Sequence, residues 1–598
     1  MIGTTVARPE TDRPPAIVRE MLTMAVVPRV WRAAACLAGA MLCFTAVIVA
    51  SQWSDDYVTA YGTLLLSRGE LAFKLHLLLF VLPGTLLLAA ATAQFPAVGR
   101  RLLAAFDAVG GVPRLSMWAF VGALFVLLLS HGARVGVLSS APVTDDENVY
   151  LFQAQLLASG HLYAEGLPAP IRPAFDNQFI VNGDRRYGMY FVGHPAIMAV
   201  ALKLGAIDWV GSVEAALTFL LAVALATRLY GPRTATLTGI LLALSPFFIL
   251  ISATAMSQPT SALFLTLFWY AALRIETAPR SLIWWTAAAG ALSIAGLTRP
   301  QTAALLALPP VVRLGWLISQ RRLRPGWSAP AAFVVILAAG AATFLWVNHV
   351  TTGSMFLSSY TAYWRWSGRT WPVPRGPGWA LFAISQNLAQ LNVWLFGWPL
   401  SLVFVPFFRR TSAAWTLVAI PLVGIVGYGL MMGVPTLASV GPVYYAELIV
   451  PVAILSASGM ERAVTWTRTQ LGEGFATRML VAWPAALVLA CLAVFVPVQL
   501  GSIRLMAEIA RSPYDLVEQH GPEHAVVFVH SLPALSGISP GAWVYYHRNN
   551  SPDLSDRVLF VKDLGPEANR RLLAYLPNRR PLWMGMKDGR LVLAPMAR

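Results

Sequence analysis

The chain has 598 residues, of which 57% are hydrophobic and only 12% charged. A soluble protein carries about twice that charged fraction, and the mean hydropathy of +0.61 excludes an ordinary water-soluble enzyme. The net charge of +16 lies largely in short clusters between apolar windows, so it reads as the positive-inside signal of a membrane protein rather than a nucleic-acid surface.

The basic N-terminal segment (Arg13, Arg19, Arg29, Arg32) precedes an apolar stretch at 33–50. That stretch is long and its Ile48-Val49-Ala50 cleavage signal weak, which predicts an uncleaved signal anchor. Apolar windows of about twenty residues then recur, and about thirteen spans are predicted. They lie near 31–50, 71–94, 116–136, 211–230, 235–252, 259–275, 281–297, 300–317, 329–347, 380–408, 412–430, 445–459 and 479–498. Residues 191–207 are apolar but interrupted by Gly193, His194 and Pro195, which predicts a re-entrant or interfacial helix.

With the N-terminus inside, the clusters Arg100-Arg101, Arg228 with Arg233, Arg321-Arg322-Arg324, Arg409-Arg410 and Arg462 to Arg478 all become cytoplasmic. An odd number of spans places the C-terminus outside. The expected fold is an all-α polytopic membrane protein, multi-pass in a bacterial inner membrane, with a small extracytoplasmic α/β C-terminal domain. Three units are expected: a basic segment with two extra spans over 1–115, a transmembrane core over 116–502, and the tail over 503–598. In the tail, short strand-like runs (Ala525–His530, Arg557–Asp563, Pro581–Met586, Arg590–Ala594) alternate with one helical stretch, Pro566–Leu576. Cys36, Cys43 and Cys491 fall inside apolar windows, which offers neither a metal cluster nor a disulfide framework.

The first outer loop, 137–210, opens with Asp145, Asp146 and Glu147, followed by Tyr150, Gln153 and Ala154 at helical spacing. Acids at a helix start cap it and complement its dipole. A carboxylate held near hydrocarbon and near a second acid is also raised in pKa, which suits a general base. Asp176 and Asp184, later in the same loop, are candidates for orienting an acceptor, or solvated loop charges. His194 is a candidate for contacting a phosphate or assisting a metal. Arg299, in Thr298-Arg299-Pro300, sits at an outer hairpin against the positive-inside bias. It either snorkels to headgroups or binds a phosphate through its planar fork. Gln258, in Ser257-Gln258-Pro259-Thr260, is a candidate lining residue of the same cavity. The second outer loop, 348–379, carries Tyr360, Tyr363, Trp364, Trp366 and Trp371, a carbohydrate platform or an interfacial aromatic belt. No phosphate-binding Gly-rich loop, dinucleotide fingerprint, zinc-protease helix or nucleophile elbow is apparent. An ATP-driven pump is therefore unsupported.

Taken in order, these motifs resemble the GT-C superfamily of membrane glycosyltransferases, and most closely bacterial proteins of the dolichyl-phosphate-mannose–protein mannosyltransferase type. The matching positions are Asp146-Glu147, Tyr150–Ala154, Gly160, Gly193–Pro195 and Thr298–Pro300. Thr352-Gly353-Ser354, Asn392 with Trp394–Pro399, and Asn550–Leu554 extend the match. The chain departs where the family often has Ser-His-Pro (here Ser257-Gln258-Pro259) and Gly-Pro-Arg-Tyr (here Gly441-Pro442-Val443-Tyr444). The resemblance implies transfer of a sugar from a polyprenyl phosphate to a protein, lipid or glycan acceptor on the outer side. Asp146 would be the base, with Asp145 and Glu147 beside it. Arg299 and His194 would face the donor phosphate, and Tyr150, Gln153, Asp176, Gln258 and Tyr360 would line the acceptor cavity. A divalent cation (Mg or Mn) stays open as a cofactor. The competing reading is a transporter or lipid flippase without covalent chemistry. It favours midplane charges and internal repeats, whereas here the charges sit at outer ends and no repeat is evident.

Overall fold

The computed structural model describes residues 16–52, 74–111, 115–368, 376–431, 440–530, 550–588 and 590–596. Trp371 of the second outer loop and Arg13 of the basic segment lie outside them. The first helices are α1 (Ala16–Gln52), α2 (Lys74–Ala93), α3 (Pro96–Ala108), α4 (Leu115–Gly136), α5 (Asp145–Ala158) and α6 (Gly193–Lys203). The middle of the bundle is α7 (Val210–Tyr230), α8 (Pro232–Ala243), α9 (Pro246–Ala253), α10 (Gln258–Thr277), α11 (Leu282–Thr298), α12 (Pro300–Ser319) and α13 (Ser328–Thr352). It closes with α14 (Ser359–Ser367), α15 (Pro377–Trp394), α16 (Ser412–Met431), α17 (Ile449–Leu471) and α18 (Phe475–His520).

Each of the predicted apolar windows holds a helix. Among the described residues eight helices are long and apolar enough to cross a membrane, or nine if α8 and α9, bent by 56°, form one span. Fewer qualify than the sequence predicts because some are short: α11 has only 17 residues. The window predicted to run to 408 stops as α15 at Trp394. Gly397 there adopts φ +72°, and a Cβ on it would meet the Cys491 sulfur at 2.3 Å, so the chain turns in tight contact with α18. Asn392 secures the turn by accepting from the Leu402 amide at 3.1 Å.

Burial sorts the helices. Every residue from Ile449 to Met460 of α17 is buried, as expected of a helix that is apolar all round. By contrast α13 buries only Ala329, Asn348 and Thr351, leaving Val334 and Val335 exposed to face lipid. The predicted interfacial segment is α6, whose 11 residues are too few to span.

One end of the bundle carries a second layer. Strands β1 (Ala164–Glu165), β2 (Ile180–Asn182) and β3 (Arg185–Gly188) form an antiparallel sheet in the order β1-β3-β2. Val149, Phe152 and Leu156 of α5 pack with Ile180 beneath it. The tail is a four-stranded sheet of β4 (Ala525–Val529), β5 (Val558–Lys562), β6 (Arg580–Lys587) and β7 (Arg590–Pro595), with α19 (Pro566–Tyr575). These fall within a residue or two of the predicted runs. The order is β5-β4-β6-β7, with β4 parallel to both β5 and β6, and β7 antiparallel to β6. Asn550 closes the β5 edge: its amide donates to the Phe560 carbonyl and accepts from the Phe560 amide, each at 2.8 Å. Ile171, Ala174 and Phe175 of the first loop share a core with Val526, Phe528, Leu559 and Leu572 of the tail. The tail is thus docked on the layer that carries the acidic helix. No break marks residue 502, because α18 runs unbroken from Phe475 to His520.

Candidate active site

The acidic run becomes the first turn of α5. Thr144 is its N-cap, accepting from the Glu147 amide at 3.3 Å, and three carboxyls in that turn complement the helix dipole. They then diverge. Glu147 is fully buried. Its Oε2 accepts from the Ala255 amide at 2.9 Å and lies 3.6 Å from Arg134 Nη1, while Oε1 takes the Val143 amide and the Thr144 hydroxyl. Arg134 in turn is anchored on Asp208 at 2.8 Å. Glu147 is therefore the bolt that fixes the start of α5 to α4 and α9. The expectation that it takes part in proton transfer is corrected: nothing of its carboxylate is left to meet a substrate.

Asp146 is half-buried, and among the described residues its one direct partner is the Tyr190 hydroxyl, which donates a short hydrogen bond to Oδ1. Burial pushes its carboxyl above the ordinary range, with the Tyr190 bond and the Arg299 charge pulling the other way. Among the described residues Asp145 makes no ion pair, and burial together with the Asp146 charge drives its carboxyl well up. Tyr190 is itself pushed well up by burial and by Asp146, so it keeps the proton that it donates. Gln153 holds Tyr190 in place by donating from Nε2 to its carbonyl at 2.7 Å.

Arg299 comes within electrostatic reach of Asp146 because Pro300 opens α12. A residue before proline is driven out of the helical region, and Arg299 takes φ −145°, ψ 79° between α11 and α12. Its side chain leaves the bundle wall at that break. Nη1 donates to Ser257 Oγ at 3.4 Å, Nη2 to the Tyr428 hydroxyl at 3.3 Å, and Nε lies 3.0 Å from Glu447 Oε1. Tyr428 also bonds Thr302 and stacks on Tyr444 at 5.5 Å. Tyr150 joins the two halves: its hydroxyl is 2.8 Å from Ser257 Oγ and its ring 4.6 Å from that of Tyr190. Tyr360 of α14 stacks on Phe191 at 6.1 Å and interacts electrostatically with both Asp146 and Arg299. A carboxylate and a guanidinium thus lie in one electrostatically coupled cluster with Tyr150, Tyr190, Tyr360, Tyr428 and Tyr444.

Three predicted residues lie elsewhere. His194 is buried behind Tyr150, with Nδ1 2.7 Å from Thr260 Oγ1 and Nε2 3.0 Å from the Ala255 carbonyl. Both ring nitrogens are engaged and burial lowers its pKa to about 4, so it is a neutral structural residue and not a phosphate ligand. Thr260 also bonds Glu214 of α7 at 2.5 Å. Asp176 accepts from Asn182 at 2.7 Å and feels Lys562 of the tail, which places it at the loop–tail joint instead of the cavity. Gln258 is buried among Thr218, Phe248, Ala446 and Ile449, inside the bundle. Among the described residues no three His, Cys, Asp or Glu side chains gather to hold a metal ion.

Glu447, Tyr428 and Tyr444 are site residues the motif reading did not select, whereas Ser257 belongs to a motif that it did. Glu447 had a signal: a lone acid within an apolar span is costly unless paired.

No family model matches the sequence, and no curated protein matches it. Among solved structures, one similar to this chain is ArnT from Cupriavidus metallidurans bound to undecaprenyl phosphate. The two are 15% identical over 81% of this chain and 98% of that one, with a TM-score of 0.48. Another is the archaeal oligosaccharyltransferase AglB from Archaeoglobus fulgidus in complex with an inhibitory peptide and a dolichol-phosphate. It is 9% identical over 78% of this chain and 69% of its own, with a TM-score of 0.43.

Proposed function

We propose that this protein is a membrane glycosyltransferase that moves a sugar from a polyprenyl-phosphate donor to an acceptor hydroxyl on the tail side of the membrane, taken to be the extracytoplasmic side. The observation that supports it is the electrostatic pairing of Asp146 and Arg299 within one tyrosine-rich cluster at the end of an apolar bundle. A prenyl chain is solvated by the lipid around α12 to α16, and its phosphate needs a cation at the interface. Arg299 supplies that cation.

In the transfer, the acceptor oxygen attacks the anomeric carbon as the bond from that carbon to the phosphate oxygen breaks. The electron pair leaves with the phosphate, whose growing charge Arg299 and the Tyr428 hydroxyl stabilise. The acceptor proton passes to Asp146. One displacement inverts the anomeric centre. Asp146, half-buried and held by a single hydroxyl, is the carboxylate with a free oxygen for this work.

The purified protein in lipid, given polyprenyl phosphate bearing a labelled sugar and envelope acceptors, is expected to yield labelled product with inverted anomeric configuration. Labelled lipid crossing the bilayer with no covalent product would instead establish the flippase reading.

A further inference from the structure

Arg299 has a carboxylate beside it. Glu447, in the short turn Val443–Leu448 that leads into α17, is buried and places Oε1 3.0 Å from Arg299 Nε. Among the described residues neither carboxylate oxygen accepts a well-directed hydrogen bond, although the Ser261 hydroxyl lies nearby. A buried acid so poorly bonded is held by the guanidinium charge, and the guanidinium needs it in return, because either ion alone in such a site is strongly destabilised. The other Arg299 contacts, to Ser257, Thr302 and Tyr428, are long, at 3.3 to 3.4 Å. The Nη edge is thereby left for a ligand while the Nε edge keeps its own anion.

We propose that Glu447 is the resident counter-anion of Arg299 and that it drives release of the spent lipid phosphate. This rests on the glycosyl-transfer reading above. The donor is a phosphodiester with one negative charge. The product is a phosphomonoester, whose second ionisation near pH 6 brings it close to two charges at neutral pH. Repulsion from a fixed carboxylate scales with the charge it meets, so Glu447 weakens product binding more than donor binding. It remains the partner of Arg299 as the dianion departs. The extra charge is only partly developed in the transition state and complete in the product, so release gains more than chemistry loses.

The first test needs no variant. Undecaprenyl phosphate and undecaprenyl methyl phosphate are titrated into the wild-type protein in nanodiscs at pH 7.5. The monoanionic diester is expected to bind as tightly as the dianion or more so. Binding of the dianion tenfold tighter, as a lone arginine would give, overturns the proposal. The second test is Glu447→Gln, expected to bind undecaprenyl phosphate about tenfold more tightly. A first turnover at least as fast as wild type should then be followed by a steady state slowed severalfold, a burst that wild type lacks. A merely structural Glu447 would instead loosen Arg299, weakening donor and product alike with no burst, and that result also overturns it. If wild type transfers sugar but these outcomes fail, only this inference falls. If wild type neither transfers sugar nor binds either lipid, the reading beneath it falls.

Discussion

Asp146 and Tyr190 form the unit on which proton transfer turns. Burial raises the Asp146 carboxyl and the Tyr190 hydrogen bond lowers it, so the acidic limb of the pH–rate profile should lie above the ordinary aspartate range. Activity falls as pH drops through that limb, because the protonated acid cannot accept a proton. Tyr190→Phe removes the lowering contribution and should move the limb further up; a limb that stays put would separate Tyr190 from the base. His194 makes a prediction for stability. Its folded pKa is depressed to about 4 against an unfolded value of about 6.5. Between those pH values the unfolded chain binds a proton that the folded chain refuses, so stability is lost on acidification through that window. Thermal melts should show a steeper fall from pH 6.5 to 4 in wild type than in His194→Gln. Equal slopes would show that His194 is already charged in the fold. Asp146 and Arg299 were legible in the sequence because each stands at a break between helices, where charge and backbone punctuation coincide. The engagement of both His194 nitrogens was not, since its partners, Thr260 and the Ala255 carbonyl, are more than sixty positions away. Glu447 was hidden for a similar reason: its partner is brought to it only by packing.

At the scale of elements, the site depends on how closely α6 meets the α11–α12 break. Gly193 opens α6 against the backbone of Leu297 and Thr298, where a Cβ would approach the Thr298 hydroxyl to 2.4 Å and backbone atoms to 2.8 Å. The Gly-His-Pro and Thr-Arg-Pro motifs, separate in sequence, are one contact in space. Gly193→Ala should force the two apart, costing about 1–3 kcal/mol as overpacking does. It should raise the donor KM more than it lowers kcat, because Arg299 moves while Asp146 does not. An unchanged KM would mean that α6 does not position Arg299. The tail strands and α19 were readable because they are short, punctuated and amphipathic. The end of α15 was not, because the residues after Trp394 stay apolar and only the Gly397 turn, pressed against Cys491, ends the helix.

Across the whole molecule, the tail is part of the same layer as the acidic helix. Phe175 of the first loop lies in the tail core with Phe528 and Leu559, and Arg511 of α18 donates to the Ser139 carbonyl at 3.1 Å. A buried Phe→Ala change costs about 3–5 kcal/mol. Phe175→Ala should therefore release the tail to limited proteolysis while the span bundle stays intact in detergent. A tail as resistant as in wild type would show that the loop does not hold it. The account's central claim is that Asp146 removes the acceptor proton in the cavity where Arg299 holds the donor phosphate. Its most direct test is sugar transfer by Asp146→Asn protein whose donor binding is measured in the same preparation. The account predicts donor affinity close to wild type and turnover reduced by at least about 100-fold, the scale of general-base catalysis. Wild-type turnover in that variant would contradict it.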